Sequence, residues 1–284
     1  MKKFKILFIF IILFSLTGCF NNDSMDDISI TTSIYPIEYV VKSLYGEHST
    51  INSLYPKDTD ASNFEVTNVL LDQYSNNDLF IFNGLTEENS YVNYLLNKNK
   101  NLKIIDVTSN MQYDYSIEEL WLDPNNLLTI ANNIRKGFKE YIKSTYLTNE
   151  IDANYENLKI ELTSLDGKYY STVKNASNNT IIVSDDVFLF LEKYGLKVIS
   201  LDPDTVKEKT IDTAKEAIKN GECSMIFVKY QENNESINDF IDETDISKIE
   251  LYTMTNLQDI NVEKSNYITL MNQNLENLKL QLYK

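Results

Sequence analysis

Residues 149–174 read NEIDANYENLKIELTSLDGKYYSTVK, with Ile151, Tyr155, Leu158, Leu162, Leu165 and Tyr169 as regularly spaced apolar positions. They recur by alternating steps of four and three, a period of about 3.5 residues that marks one face of a helix. Gly167 is the lone glycine in the stretch and no proline interrupts it. The segment therefore reads as a rigid strut rather than a loose tether. What stands on either side of it decides the architecture.

Strand and helix patterns alternate on both sides. Upstream, strands are expected at 28–34, 50–55, 79–82 and 103–107. Helices are expected from Pro36 to the Gly46 stop, at 65–74 and 87–96, and from Pro124 onward. Val66, Val69, Leu70 and Tyr74 set the inward face of the second helix. Downstream, strands are expected at 180–183, 197–201, 225–229 and 248–253. The matching helices fall at 186–194, 205–220, 236–243 and 265–283, two of them closed by Gly195 and Gly221. Strands alternating with helices imply parallel sheets covered on both faces. The expected fold is α/β: two lobes, each with a four-stranded parallel sheet, joined by one long rigid helix, with a ligand cleft between them. The lobes span 28–148 and 176–284, and the linking helix 149–175. Ligands of open α/β sheets bind beyond the carboxyl ends of strands. The loops after the second, fourth, fifth and eighth strands carry Ser62, Glu119, Asp185 and Ser265.

Glu118-Glu119-Leu120-Trp121-Leu122-Asp123-Pro124 holds the one tryptophan of the chain. Asp123 then Pro124 reads as a helix cap and first helical residue, since proline has no N–H to lose there and aspartate accepts one. Leu127, Ala131, Ile134, Phe138 and Ile142 give the following helix an apolar face. Two carboxylates thus precede a helix that Trp121 pins to the core.

The net charge of −16 makes nucleic acid and anionic lipid headgroups poor partners and cations better ones. Lys2, Lys3 and Lys5 precede an apolar run from Ile6 to Leu16, the pattern of a signal peptide. Leu16-Thr17-Gly18-Cys19 resembles the bacterial lipobox, in which the cysteine is acylated and becomes the first residue of the mature protein. That implies a signal peptide over 1–18, a lipid anchor on Cys19 and a polar tether over 19–27. Cys223, the other cysteine, opens an apolar run and reads as a small buried side chain. The single histidine, His48, reads as a solvated surface residue in the turn after the first helix. An enzyme is not expected. One histidine rules out a His-Glu-x-x-His zinc helix. The chain also lacks a Gly-x-Ser-x-Gly elbow, a Gly-Lys-Ser/Thr phosphate loop and a Gly-x-Gly-x-x-Gly turn.

Several motifs together resemble one family. They are Thr31-Thr32-Ser33-Ile34-Tyr35-Pro36, the 55–67 loop YPKDTDASNFEVT, Asp78-Leu79-Phe80-Ile81-Phe82-Asn83-Gly84-Leu85, Trp121-Leu122-Asp123-Pro124, and Val183-Ser184-Asp185-Asp186-Val187-Phe188. The chain is similar over its whole mature length to the zinc/manganese-binding solute receptors of ABC importers. In Gram-positive bacteria these are lipoproteins, some first described as adhesins. The resemblance implies a monomeric receptor at the extracytoplasmic face of the cell membrane, a membrane permease as partner, and a divalent metal as cargo. It implies four ligand positions, matched here by Ser62, Glu119, Asp185 and Ser265. The family uses two or three histidines with carboxylates, and none of the four positions is histidine here. Two carboxylates and two hydroxyls fit Mn²⁺, Mg²⁺ or Ca²⁺ better than Zn²⁺. The alternative is a diverged receptor without a tightly held metal, binding another small solute or acting as a surface interaction or adhesion lipoprotein.

Overall fold

The computed structural model describes residues 25–56 and 59–284. The signal segment, Cys19 and most of the tether lie outside the described residues, as do Lys57 and Asp58. In the first half β1 (Ile28–Thr32), β2 (Ser49–Ser53), β3 (Leu79–Phe82) and β4 (Lys103–Asp106) make one parallel sheet in the order β2-β1-β3-β4. In the second, β5 (Thr180–Val183), β6 (Lys197–Ser200), β7 (Met225–Lys229) and β8 (Ser247–Leu251) repeat that order as β6-β5-β7-β8. Every residue of β3 and of β5 is buried, as central strands covered on both faces must be.

The helices are α1 (Tyr35–Tyr45), α2 (Asn68–Tyr74), α3 (Glu88–Lys98), α4 (Glu119–Leu122), α5 (Pro124–Tyr141), α6 (Thr145–Lys174), α7 (Glu208–Lys219), α8 (Glu235–Thr244) and α9 (Tyr267–Leu282). Among the described residues no helix is long and apolar enough to cross a membrane. Asp123 caps α5, its carboxylate accepting the Asn125 N–H at 2.8 Å, with Pro124 as the first helical residue. The strut is α6. It starts before the expected position because the Ser144 hydroxyl accepts the Leu147 N–H at 3.3 Å and caps it. Its 30 residues make a rod about 45 Å long.

Both halves are built onto that rod. Near its start, Asn154 donates to the Leu44 carbonyl at 3.1 Å and the Arg135 guanidinium lies 4.1 Å from the centre of the Tyr155 ring. Near its end, the buried Tyr169 hydroxyl donates to the Met271 carbonyl at 2.8 Å, and its ring packs against Tyr194. Trp121 makes a second tie. Its indole N–H donates to the Thr253 carbonyl at 3.0 Å, and its own carbonyl accepts the Tyr267 hydroxyl at 2.6 Å. Tyr267 in turn stacks on Tyr39 with ring centres 5.4 Å apart. Lys193 adds a third, reaching Asp123 at 2.5 Å and Asp166 at 3.0 Å. A single apolar cluster runs from Ile28 in the first half to Leu282 in the second.

Local departures from the sequence pattern have local causes. Residues Asp186–Tyr194 form a 3-10 helix, and their apolar positions Phe188, Leu191 and Tyr194 repeat every three residues, the period of that helix. Helix α2 starts at Asn68 because Thr67 caps it, and Val69, expected inward, is exposed. Cys223 is buried as expected, and burial pushes its thiol up to about 11. His48 is not a solvated surface residue. Its Nδ1 lies 3.0 Å from Asp26 and its Nε2 3.1 Å from Glu150, so it bridges the start of β1 to α6. Burial works to lower its pKa, but the hydrogen bonds and charges of these two carboxylates outweigh that and raise it.

Trp121→Phe removes the indole donor and strands the Thr253 carbonyl. It should cost about 1–3 kcal/mol in urea denaturation while leaving the secondary structure unchanged by circular dichroism. The charged form of His48 is favoured by folding. Its contribution is therefore complete below the ordinary value of 6.5 and is lost as pH rises through the raised folded value. Wild type should exceed His48→Gln by on the order of 1 kcal/mol at about pH 5.5, and the difference should vanish at about pH 9.

Candidate functional site

A cavity of about 410 Å³ takes its lining from loops that leave the carboxyl ends of strands in both sheets. The loop after β2 supplies Asp60, Ser62 and Asn63, and the segment after β4 supplies Glu118. The loop after β5 supplies Asp185, the last residue of β7 is Lys229 and the loop after it supplies Glu232, and the segment after β8 supplies Thr253, Thr255 and Asn256. This is where parallel sheets place their ligands, because side chains there are free of the ladder while the strands fix their positions.

Each carboxylate accepts at least one bond from its own loop, and Asp185 and Glu232 also accept from a neighbouring strand end. The Asp60 carboxylate accepts the Ser62 N–H at 3.0 Å and the Asn63 side-chain amide at 2.8 Å. The same loop is laced to the other half by the Ala61 N–H, which donates to the Thr255 carbonyl at 2.9 Å, and by an antiparallel bridge between Asp60 and Asn256. Glu118 accepts from the Ser116 hydroxyl. Asp185, in extended conformation, caps the 3-10 helix through Oδ1, which accepts the Val187 N–H at 2.9 Å. Its Oδ2 accepts from the Lys229 ammonium. Glu232 accepts the Lys229 backbone N–H at 3.0 Å and the Ser184 hydroxyl. The neighbouring strands β5 and β7 are thus joined at their ends by a polar cluster.

Four carboxylates therefore face one ammonium. Burial alone would pull the Lys229 pKa down. The hydrogen bond and charge of Asp185, with the charges of Glu232 and Glu118, hold it above the ordinary lysine value. The lysine is a fixed positive charge in an otherwise acidic mouth.

Of the four positions expected from sequence, Ser62 and Asp185 line the cavity. Glu119 does not. Its carboxylate turns back onto its own chain and accepts the Asp114 and Tyr115 N–H groups at 3.2 and 3.3 Å. Successive side chains on a helical turn point about 100° apart, so the neighbour Glu118 takes the place on the wall. Ser265 also lies outside the lining. Its N–H donates to the Asn261 carbonyl at 2.9 Å, and the next residue, Asn266, caps α9. Asp60, Lys229 and Glu232 were not singled out from the sequence, and Glu118 was noted only as half of the acidic pair before the Trp121 helix, not as a ligand position. Lys229 left a usable signal: it ends the apolar strand Met-Ile-Phe-Val with a charge at the carboxyl end, the position that faces a ligand. Among the described residues no three His, Cys, Asp or Glu side chains form a group that could hold a metal ion.

A family model described as zinc-uptake complex component A, periplasmic, matches residues 30–280. No curated protein matches the chain by sequence. Among solved structures, the metal-dependent lipoprotein YcdH from Bacillus subtilis is similar at 20% identity and a TM-score of 0.74, over 91% of this chain and 100% of that one. The laminin-binding protein Lbp of Streptococcus pyogenes is similar at 20% identity and 0.72, over 90% of this chain and 99% of that one. The Zn(II)-bound ZnuA-like domain of AdcA from Streptococcus pneumoniae is similar at 21% identity and 0.71, over 91% and 100%. Against Zn(II)-bound AdcA itself, the chain spans 58% of that protein's length. At these identities the likeness to the structures carries the fold alone.

Asp185 acts locally as a helix cap and electrostatically as the partner of Lys229. Asp185→Asn keeps an acceptor for the Val187 N–H, whereas Asp185→Ala loses it. Urea denaturation should find the alanine variant less stable than the asparagine variant by about 1 kcal/mol.

Proposed function

The chain belongs to the zinc-uptake complex component A family, a family of transport receptors rather than enzymes, and from that membership we propose that it is the lipid-anchored cargo receptor of an ABC importer. Acylation at Cys19 holds it at the extracytoplasmic face of the cell membrane, and a membrane permease receives its cargo. It works as a monomer. The cargo is a divalent cation, taken into the cavity with part of its water shell.

The observation that carries this reading is the charge of the cavity: Asp60, Glu118, Asp185 and Glu232 stand against Lys229 alone. Zinc favours imidazole and thiolate, and the wall offers neither. Carboxylates, hydroxyls and amide oxygens with water suit a harder ion such as Mn²⁺, Mg²⁺ or Ca²⁺. Ser62 and Asp185 contribute from the wall. Glu119 joins only by leaving the Asp114 and Tyr115 amides, and Ser265 has no place in the site as it stands. Because the rod, Trp121 and Lys193 tie the lobes together, loading and release proceed through small tilts and loop shifts rather than a wide hinge swing.

One observation favours a second reading. A cavity of about 410 Å³ is far larger than a bare ion needs, and it suits a small polar solute carrying positive charge. Calorimetry and thermal shift of the mature protein against Mn²⁺, Mg²⁺, Ca²⁺ and Zn²⁺ separate the two. The cation reading expects binding of at least one of the first three in preference to Zn²⁺, weakened at least tenfold in the double variant Glu118→Ala with Asp185→Ala. Silence with all four ions leaves the polar solute.

A further inference from the structure

We propose that Lys229 is a resident cation that competes with the cargo for Asp185, and that it thereby sets how tightly this receptor holds a divalent ion. The inference rests on the cation reading above. Lys229 is the last residue of β7, and its ammonium meets Asp185 Oδ2 inside the cavity wall. The other oxygen of that carboxylate is committed to the Val187 N–H. Oδ2 is therefore the oxygen of Asp185 that no backbone group holds, and a lysine stands on it.

A metal bound to that oxygen would sit about 2.0–2.6 Å away, within the volume that the ammonium fills. The two exclude each other by space and repel each other by charge. The pair is also accessible to exchange. The Lys229 side chain is 38% exposed and that of Asp185 18%, so the ion pair is neither sealed in the core nor fully screened by water. A flexible four-carbon stem lets the ammonium swing out to solvent when an ion arrives. Glu232 is fixed beside the pair through one oxygen, Oε2, which accepts from both the Ser184 hydroxyl and the Lys229 N–H, so its charge acts on the same ammonium. The tethered charge also quiets the repulsion among the four carboxylates while no cargo is bound. The result is a receptor whose weak grip is built in, and whose selectivity excludes ions that cannot outbid an ammonium.

The test is calorimetric titration of the full mature chain with Mn²⁺ and, separately, Zn²⁺. Wild type is compared with Lys229→Met, which keeps an unbranched apolar stem and removes the charge, and with Lys229→Arg, which keeps the charge. Lys229→Gln serves as the second neutral variant should the methionine protein fail to fold by circular dichroism. The neutral variant should bind Mn²⁺ about tenfold tighter or more, and the arginine variant no tighter than wild type. A folded neutral variant with wild-type affinity overturns the proposal while leaving the cation cargo in place. Binding by the neutral variant with a silent wild type supports the role of Lys229 and overturns the cation as the natural cargo. Silence in every protein overturns both.

Discussion

The position of one lobe relative to the other rests on Trp121. This side chain from the first half is buried against the second, and both ends of its residue are hydrogen-bonded there, the indole to Thr253 and the carbonyl to Tyr267. Buried donors and acceptors of this kind cost little while paired and much when separated. Thr253 lines the cavity while accepting from the indole, so the tie between lobes and the wall of the site share a residue. The rod α6 sets the distance over which the halves act, and Trp121 sets the alignment of their strand ends. Sliding one sheet past the other breaks both bonds together with the stacking of Tyr267 on Tyr39.

The chemistry of the cavity follows from that alignment. Carboxylates from four different loops are brought to one mouth, yet each is anchored by donors from its own neighbourhood. Such anchoring fixes where the negative charge stands but uses up lone pairs that a cation would need. The two demands conflict, and Lys229 is where the conflict is most visible. A ligand set that is partly committed to the protein favours a solvated, exchangeable guest over a stripped and tightly held one.

The architecture was readable from the sequence because it rests on periodicity. The strut repeat, the continuous apolar strands 79–82 and 180–183, and the Asp123–Pro124 helix start all translate directly into the elements observed. Ser62 and Asp185 were readable as cavity residues because they follow strands whose ends point there. Glu119 illustrates the limit. Two adjacent glutamates are equivalent in sequence, and the phase of a single helical turn sends one to the wall and the other back onto its own loop. The partnership of Lys229 with Asp185 joins positions 44 apart, and only strand adjacency reveals it. His48 was misread for the same reason: its partners are distant in sequence, Asp26 just before β1 and Glu150 in the rod α6.

His48 helps to fix where the chain enters the body. The contact of His48 with Asp26 and the Tyr45 hydroxyl, which donates to the Met25 carbonyl at 2.5 Å, fasten the incoming chain at the amino edge of the first sheet. The mouth opens at the opposite, carboxyl edge. The chain thus enters the body on the side away from the cavity, and the hold on that entry, through the charge of His48, follows pH while the cavity wall stands apart from it.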